Sequence, residues 1–450
     1  MLKLNSSQSL VSPVSGLVEL QKRFALSRIG GKLRVVDLLE ISELKQGIRQ
    51  RPLSYFDTSD ARLLMGRLLE TLPVKTKPSD DIKNFFSNPN TRVFVDVCYS
   101  PSQSSDDVIN LWQGPRIKGQ AGDWSVIKRH IREIICDCDE SKFEYLIRYI
   151  AHMLQKPEEK PGVMIVLSSK QGTGKGLFFE CLRRIWSSST VFTSSIKDVV
   201  GQFNSVLENS YVLILDEAFF HGDRGAWDRM KSLTTESFLR IEAKFQPQRQ
   251  VNSLHRIFAS TNHRQFGATT FDDRRHLFFG VAESRVGDFN YFKQLAEAIA
   301  DDAVIAAMVA ELESMDLRGF NVREFPKSSE RAFQVLESLI GFDDYWYQVL
   351  LSEQIDCSDL VFSVPYDFGF VSSSSLHRYA QKHVRSGPHK GRITHRMISD
   401  GLRSLCPSAL QARGSAAHRD QRGFLLPELK TARKEFAKAL EIEVDWECVT

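Results

Sequence analysis

Five short apolar runs between Gly162 and Ala282 constrain the fold of this 450-residue chain more than any other feature. They are VMIVL (163–167), TVFTS (190–194), YVLIL (211–215), RIFAST (256–261) and HLFFGV (276–281). Continuous apolar runs of this kind are expected when a strand is buried on both faces, as in a parallel sheet covered by helices. Segments with helical spacing separate the runs, and this alternation is typical of α/β proteins. The sequence therefore predicts an α/β fold whose parallel-sheet core spans residues 161–282.

The rest of the sequence divides into four further segments. Residues 1–125 mix strand-like and helical patterns, as in RVVDLLEI, RVFVDVCY and SDARLLMGRLLETL, and predict a mixed α+β region. Residues 126–160 predict two helices that end at Pro157 and form a helical collar before the core. Residues 283–345 predict a helical extension that includes YFKQLAEAIADDAVIAAMVAELESM. In residues 346–450, SSLHRYAQKHV and THRMISDGLRSLC predict a small helical module that resembles a winged helix.

Charge is distributed unevenly along the chain, although the formal net charge is only +3. Residues 283–367 contain 6 Lys+Arg and 17 Asp+Glu, whereas residues 372–440 contain 14 Lys+Arg and 4 Asp+Glu. A basic terminal module of this kind indicates binding to a phosphate backbone, although a solvated basic face explains the same count. No run reaches the roughly 18 apolar residues that cross a bilayer, and the start lacks an apolar signal core. We therefore expect a cytoplasmic protein without a membrane partner.

The segment SSKQGTGKG, residues 168–176, follows the first apolar run and precedes KGLFFECLRRIW, which has a helical apolar stripe. A glycine-rich loop between a strand and a helix can direct backbone N–H groups, a helix N-terminus and one lysine at bound phosphates. The usual motif ends in a Ser or Thr whose hydroxyl binds Mg²⁺, but here that position is Gly176. We predict a site for ATP and Mg²⁺, with a glycine-rich turn that binds no ligand as the alternative. The candidate binding residues are Gly172, Thr173, Gly174, Lys175 and Gly176.

Polar side chains follow two of the other apolar runs. Asp216 and Glu217 end YVLILDE, and Asn262 follows RIFAST. In P-loop ATPases the first carboxylate of such a pair reaches the Mg²⁺ shell and the second can polarise the attacking water. An asparagine at a strand tip can orient that water or contact the γ-phosphate. We therefore assign Asp216 to Mg²⁺ and Glu217 and Asn262 to catalysis, although a satisfied turn would also explain Asn262.

Basic residues lie in two segments, one between these motifs and one after them. FLRIEAKF followed by QPQRQVN predicts a hairpin or loop that carries Arg240, Lys244 and Arg249. Further on, FDDRRHLFF places Arg274 and Arg275 just before the last apolar run. An arginine that reaches the γ-phosphate of a neighbouring subunit could stabilise charge in the transition state. An ion pair with Asp272 or Asp273 explains the two arginines equally well.

The order of these motifs resembles that of superfamily 3 helicases, and more closely the ATPase part of phage, plasmid and mobile-island primase-helicase proteins. The resemblance covers roughly residues 85–445, and NLWQGPRIKGQAGDW and RGFLLPELKTARKEFAKAL contribute to it outside the core. It implies an AAA+-like P-loop ATPase core and a ring, expected as a homo-hexamer, that acts as an ATP-dependent DNA helicase. Its partner would be single-stranded or forked DNA, or origin DNA. Because members of this group can carry a small residue after the loop lysine, Gly176 would be a family variation.

The resemblance also assigns roles to single residues. Lys175 would bind phosphate, Asn262 would act as a sensor, and Lys244 would contact single-stranded DNA. Arg274 or Arg275 would be the arginine donated across a subunit interface. Residues 1–125 lack a convincing carboxylate constellation for a primase, so a separately encoded primase is expected. A nucleotide-gated initiator or scaffold that binds origin DNA without unwinding is the alternative, whereas a P-loop kinase would explain neither the hairpin nor the arginine pair.

Overall fold

The computed structural model describes most of the chain, including the glycine-rich loop and all five strands of the core. The described residues are 15–29, 31–46, 48, 53–74, 76–102, 105–217, 224–242, 248–262, 275–326, 329–356, 366, 369–386, 391–414 and 421–446. Two of the predicted functional residues, Lys244 and Arg274, lie outside these ranges. Among the residues that are described, no helix is long and apolar enough to cross a membrane.

The N-terminal part contains both helices and short strands. Its elements are α1 (Gly16–Arg23), β1 (Phe24–Ile29), β2 (Lys32–Asp37), α2 (Leu38–Lys45), α3 (Thr58–Glu70), α4 (Pro78–Ser87), β3 (Val93–Phe94), β4 (Asp96–Cys98) and β5 (Val108–Asn110). SDARLLMGRLLETL forms α3, whose N-cap Asp57 accepts hydrogen bonds from the backbone of Ser59 and Asp60. RVVDLLEI is a strand only as far as Asp37, because the Asp37 carboxylate accepts from the Leu39 N–H and starts α2.

The collar contains two α-helices with a π-helical turn between them. They are α5 (Ser125–His130) and α6 (Glu140–Gln155), with the π-helical turn at Ile131–Ile135. Asp139 caps α6 by accepting hydrogen bonds from the backbone of Ser141 and Lys142. The π-helical turn directly follows His130.

A five-stranded parallel sheet forms the centre of the molecule. The part of the chain that contains this sheet has the elements β6 (Met164–Ser168), α7 (Lys175–Ile185), β7 (Thr190–Thr193), α8 (Lys197–Val200), β8 (Val212–Asp216), α9 (Arg224–Thr235), β9 (Phe238–Ile241), β10 (Arg249–Asn252), β11 (Arg256–Thr261) and β12 (His276–Gly280). The strand order is β12-β6-β11-β8-β7, and all four pairings are parallel. The predicted parallel-sheet α/β core is therefore confirmed. Because β6, β8 and β11 are neighbours, the residues that follow them meet at one edge of the sheet.

Both faces of the sheet are buried at β12, β6, β11 and β8, which explains the continuous apolar runs of these strands, whereas the edge strand β7 is only partly buried. Along β6, Ile165 and Leu167 belong to one hydrophobic cluster, whereas Met164 and Val166 belong to another. Since side chains alternate across a strand, these two clusters lie on opposite faces. Helix α7 packs its buried side chains into the first cluster and α9 into the second. The glycine-rich loop is thus anchored between a buried strand and a buried helix.

The predicted hairpin is present as the antiparallel pair β9 and β10, in which Arg249 lies opposite Ile241. The long helical pattern after the core is divided into α10 (Phe289–Ala300) and α11 (Asp302–Ser314). The break occurs at Asp301, whose carboxylate accepts from the Ala303 N–H and caps α11. One predicted helix therefore becomes two, because a capping aspartate interrupts the apolar periodicity.

The C-terminal part has its own hydrophobic core, which includes Trp346, Leu376, Ile398 and Phe436. Its elements are α12 (Ser329–Glu337), α13 (Phe342–Ser352), β13 (Phe370–Ser372), α14 (Ser373–Ser386), α15 (His395–Leu405), β14 (Leu410–Arg413), β15 (Arg422–Leu425) and α16 (Leu429–Ala439). The two predicted helices correspond to α14 and α15. A three-stranded antiparallel sheet of order β13-β15-β14 accompanies them, and the sequence analysis did not predict its strands.

Candidate nucleotide-binding site

The glycine-rich loop makes a tight turn between β6 and α7. Gly172 has a φ of 84° and Gly174 a φ of 92°, in the left-handed region that favours glycine. Gly174 is the N-cap of α7, and its carbonyl accepts from the N–H groups of Leu177 and Phe178 at 3.0 and 3.2 Å. Thr173 is buried, and its hydroxyl lies 2.8 Å from that of Ser169. The loop therefore has the backbone conformation and the helix N-terminus that an anion site needs.

Lys175 is the first residue of α7, and its ammonium group is directed back into the loop. Its Nζ donates to the Ser169 carbonyl at 2.9 Å, the Ser169 hydroxyl at 2.9 Å, the Lys170 carbonyl at 3.0 Å and Asn262 Oδ1 at 2.9 Å. None of these four acceptors is a carboxylate, so they leave the charge of the ammonium available to an anion. Burial lowers the pKa of Lys175, and the nearby carboxylates of Asp216, Glu217 and Glu283 oppose that shift.

The polar residues that follow β8 and β11 lie next to this lysine. Ser260 donates a hydrogen bond to Asp216, which is its direct neighbour across the two strands. Asn262 donates through Nδ2 to the Glu217 carboxylate, while its Oδ1 accepts from Lys175. Asn262 thus connects the loop lysine to the second carboxylate. The structure brings together Lys175, Asp216, Glu217 and Asn262, the residues that the sequence analysis placed in one site.

Glu217 has an unusual backbone conformation. Its φ is 54°, and its N–H donates to the Ser260 carbonyl at 3.1 Å. A left-handed conformation costs a non-glycine residue roughly 1–3 kcal/mol, and such residues cluster at functional sites. The bond from its backbone N–H to the Ser260 carbonyl and the bond that its carboxylate accepts from Asn262 hold Glu217 at the edge of the sheet, where its side chain is exposed. A water molecule can reach this carboxylate.

His130, at the end of α5, supports the loop from behind. Its Nε2 lies 3.3 Å from the Gly174 carbonyl, and its Nδ1 lies 3.0 Å from the Tyr291 hydroxyl on α10. A β-carbon at Gly174 would approach His130 Cε1 to 2.6 Å, so the glycine permits this close approach. Burial lowers the pKa of His130 to about 4, which keeps the ring neutral near pH 7. The sequence analysis did not identify His130, because it stands in an ordinary helical pattern distant from the loop.

Acidification is expected to destabilise the protein through His130. Its pKa in the folded state, about 4, lies below its ordinary value of 6.5, so the unfolded chain binds the proton first as the pH falls. The free energy of unfolding should then fall by about 1.4 kcal/mol per pH unit between pH 6.5 and 4 on account of this group. The change His130→Gln removes the titrating ring and should reduce this slope, as measured by urea denaturation at several pH values. A residual slope is expected from buried His255, whose pKa is lowered to about 3; an unchanged slope would contradict this role of His130.

Gly176 lies in the first turn of α7, where the usual motif has a hydroxyl. Its φ is not in the left-handed region, its position is exposed, and a β-carbon built there has no atom within 4 Å. The backbone and its surroundings therefore accept a serine without strain. The missing hydroxyl is a difference in chemistry and does not reflect a different loop conformation.

Gly176→Ser is expected to strengthen ATP binding in the presence of Mg²⁺ by about two- to tenfold, the value of one hydrogen-bond-sized contact. The reason is that the new hydroxyl restores a metal ligand in a space that is already open. Gly176→Ala is the matched control, because it adds a β-carbon and helix propensity without the hydroxyl. ATP affinity should be measured for both variants with Mg²⁺ and with EDTA. If serine and alanine gave the same affinity, the hydroxyl would have no role at this position.

The described residues contain no group of three or more His, Cys, Asp or Glu that could hold a metal ion. A cation at this site would therefore depend on one or two carboxylates together with phosphate and water oxygens, which is how Mg²⁺ commonly binds beside nucleotides. Asp216, positioned by Ser260 at the end of β8, is suited to such a role. The donor set present here fits Mg²⁺ bound together with a phosphate ligand.

The remaining predicted residues lie elsewhere. Arg240 is exposed on β9. Arg249 forms an ion pair with the buried carboxylate of Glu208, and its guanidinium group lies over the Tyr55 ring. This pairing favours a structural role for Arg249 over the predicted DNA contact. The Arg275 carbonyl accepts from the Met164 N–H at 2.7 Å, which places Arg275 at the amino end of the sheet. The loop lies at the carboxyl end, roughly 16 Å away along a five-residue strand, so Arg275 does not reach the loop of its own chain.

Comparison with known proteins connects the chain to a phage replication enzyme. Residues 167–275, which contain the loop, Asp216, Glu217 and Asn262, match the model of DUF5906, a family of unknown function. A 129-residue stretch is 25% identical to the DNA primase-polymerase of Nitratiruptor phage NrS-1; it covers 28% of this chain and 18% of that protein. The apo structure of the NrS-1 C-terminal region has a TM-score of 0.62 and 15% identity, covering 91% of this chain and 98% of the other. A second apo structure of this region gives a TM-score of 0.61.

These findings correct the helicase prediction. The sequence and structural similarity is to a primase-polymerase and its C-terminal region, not to a helicase, so the predicted function of an ATP-dependent DNA helicase is wrong. A putative ATPase from Cytophaga hutchinsonii reaches a TM-score of only 0.26, which is too low to indicate a shared fold. The expected homo-hexamer and the separately encoded primase gain no support from these matches. What remains is a mixed α/β protein with a five-stranded parallel sheet and the fold of the NrS-1 C-terminal region.

Proposed function

We propose that this chain binds and hydrolyses a nucleoside triphosphate, taken to be ATP with Mg²⁺, as the counterpart of the C-terminal region of a DNA primase-polymerase. The observation that carries the proposal is the Lys175 ammonium, which lies in a glycine loop and is joined through Asn262 to Glu217. A cation, a helix N-terminus and two carboxylates at one edge of a parallel sheet are the groups that phosphoryl transfer requires. In this proposal the core is a P-loop ATPase and the C-terminal part is a winged-helix module.

Each residue has a separate task. The N–H groups of residues 172–175 and the N-terminus of α7 bind the phosphates, and Lys175 exchanges its neutral oxygen partners for phosphate oxygens. Glu217 polarises the attacking water, and Asn262 and Ser260 hold the carboxylates in place. Asp216 would hold Mg²⁺, which when bound neutralises charge on the phosphates.

The proposed role in DNA synthesis has a different basis. The similarity to the NrS-1 C-terminal region covers nearly the whole chain, and the aligned relative is named as a DNA primase-polymerase. We therefore propose DNA as the macromolecular partner and assign to this chain the nucleotide-dependent step of a protein of that type. Hydrolysis at the loop would regulate or drive the action of that protein on its template.

The proposal is tested by measuring ATP binding and steady-state ATP hydrolysis by the complete chain, with and without DNA. Saturable binding that strengthens with Mg²⁺, together with turnover, is the expected result. Binding without turnover under every condition would reject hydrolysis and leave a nucleotide-binding role. Absence of saturable binding up to millimolar ATP would reject the site itself.

A further inference from the structure

Helix α14 of the C-terminal core presents an exposed basic face. The residues along this face are His377, Arg378, Gln381, Lys382, Arg385 and Ser386. Arg378, Lys382 and Arg385 are exposed and stand at three- and four-residue spacing, so they share one face of the helix. A surface of this kind fits an anionic ligand.

The segment before α15 is fixed against the same helix. Gln381 donates through Nε2 to the Gly391 carbonyl at 3.0 Å and accepts from the Ile393 N–H at 2.9 Å. His377 Nε2 lies 3.0 Å from the Ile393 carbonyl. These contacts hold the exposed Arg392 beside α14, and the His395 ring stacks on His377 with centroids 4.4 Å apart. The positive surface therefore continues from α14 into the start of α15.

The hairpin of β14 and β15 adds two more cations. Arg413 and Arg422 are both exposed and lie directly opposite each other across the two strands. Two exposed cations at directly opposite positions of a hairpin can face the same anionic ligand.

Carboxylates counter part of this charge. Asp400 pairs with Arg396 and Arg403 at 3.5 and 3.1 Å, and Asp356 lies 4.0 Å from Lys382. Asp344 contacts His383, which is not one of the three cations Arg378, Lys382 and Arg385. Residues 372–427, which precede α16, contain 10 Lys+Arg and 2 Asp+Glu, an excess of eight positive charges. A net positive charge of this size favours a polyanion.

We infer that α14, residues 391–395 and the β14–β15 hairpin bind the phosphate backbone of double-stranded DNA. A single strand is bound mainly by stacking of bases on exposed aromatic rings. Between residues 340 and 446, the exposed large hydrophobic side chains that the structure describes are Ile340, Met397, Leu410 and Leu425, none of them aromatic. A helix, the segment that follows it and a hairpin, with cations on each, suit the two phosphate rows of a duplex. The choice of DNA over RNA rests on the proposed function, whereas the assignment of this surface to a polyanion does not depend on it.

The test measures fluorescence anisotropy of a labelled DNA duplex with the complete chain over a series of salt concentrations. The first variant combines Arg378→Ala, Lys382→Ala and Arg385→Ala. The matched control combines Lys430→Ala, Lys434→Ala and Lys438→Ala, which removes three exposed charges at helical spacing from α16 of the same core. The α14 variant should bind at least about tenfold more weakly and lose about two to three units of the salt slope. The α16 variant should stay close to the parent.

Two results would overturn the inference: equal weakening by both triple variants, or parent protein that prefers single-stranded to duplex DNA. Thermal melting of each variant verifies that the fold is intact. ATP binding should be unchanged in the α14 variant, and duplex binding should survive Lys175→Met. A parent that binds duplex but no nucleotide would therefore reject the proposed function and leave this surface standing.

Discussion

Replacing Lys175 by methionine is expected to weaken ATP binding by about 10- to 150-fold. The estimate corresponds to the roughly 1.5–3 kcal/mol of one charge-assisted hydrogen bond. Methionine retains most of the apolar stem of this buried side chain, so the change removes the ammonium and little packing. The loss should be seen in direct titration of the protein with ATP and Mg²⁺.

Lys170→Ala is the matched control for this experiment. Lys170 also belongs to the loop, but its side chain is 80% exposed and pairs with Glu283 at 2.8 Å. Removing it should change ATP affinity by less than about threefold, because exposed ion pairs contribute little. If the two variants lost affinity equally, general loop charge rather than the position of Lys175 would explain binding.

Glu217→Gln is expected to abolish most ATP turnover, by a factor of about 10²–10⁴, while ATP binding persists. The amide oxygen of glutamine can still accept from Asn262 Nδ2, and the bond from the backbone N–H of residue 217 to the Ser260 carbonyl does not involve the side chain. An amide cannot polarise a water molecule as a carboxylate does. Single-turnover and steady-state hydrolysis, measured beside equilibrium binding, separate the two effects. Turnover at the parent rate would show that Glu217 is not the base.

Glu283→Gln provides the comparison for a carboxylate at the rim of the same loop. Glu283 pairs with exposed Lys170, and this contact lowers the pKa of Glu283. It has no bond to Asn262 or Ser260 among the described contacts, so its replacement should leave turnover within about twofold of the parent. A fall as large as that of Glu217→Gln would mean that the net charge around the loop, not a specific base, controls hydrolysis.

The sequence predicted the core of this fold well because the signals there are local and strong. Each of the five apolar runs forms a strand in the five-stranded sheet, and all but β7 are buried on both faces. The same logic brought Lys175, Asp216, Glu217 and Asn262 together, because parallel strands that are neighbours end at the same edge. The short strands β13, β14 and β15 were missed, since three or four residues carry too little periodicity.

Other features depended on tertiary contacts that no local pattern shows. His130 supports the loop only because α10 packs against both α5 and α7, and the Arg249–Glu208 pair joins residues 41 positions apart. The helicase prediction failed for a different reason. It transferred a whole activity from a shared order of motifs, and motifs describe a nucleotide site without specifying the work that the site performs.

Hydrogen exchange of the backbone amides, with and without ATP and Mg²⁺, tests the central claim most directly. The account predicts that ATP slows exchange in peptides covering residues 169–178, because the N–H groups of the loop then donate to phosphate oxygens. The protection should be lost in Lys175→Met and retained in Lys170→Ala. Saturating ATP that leaves this segment unprotected while protecting another part of the chain would contradict the assignment of the loop as the nucleotide site.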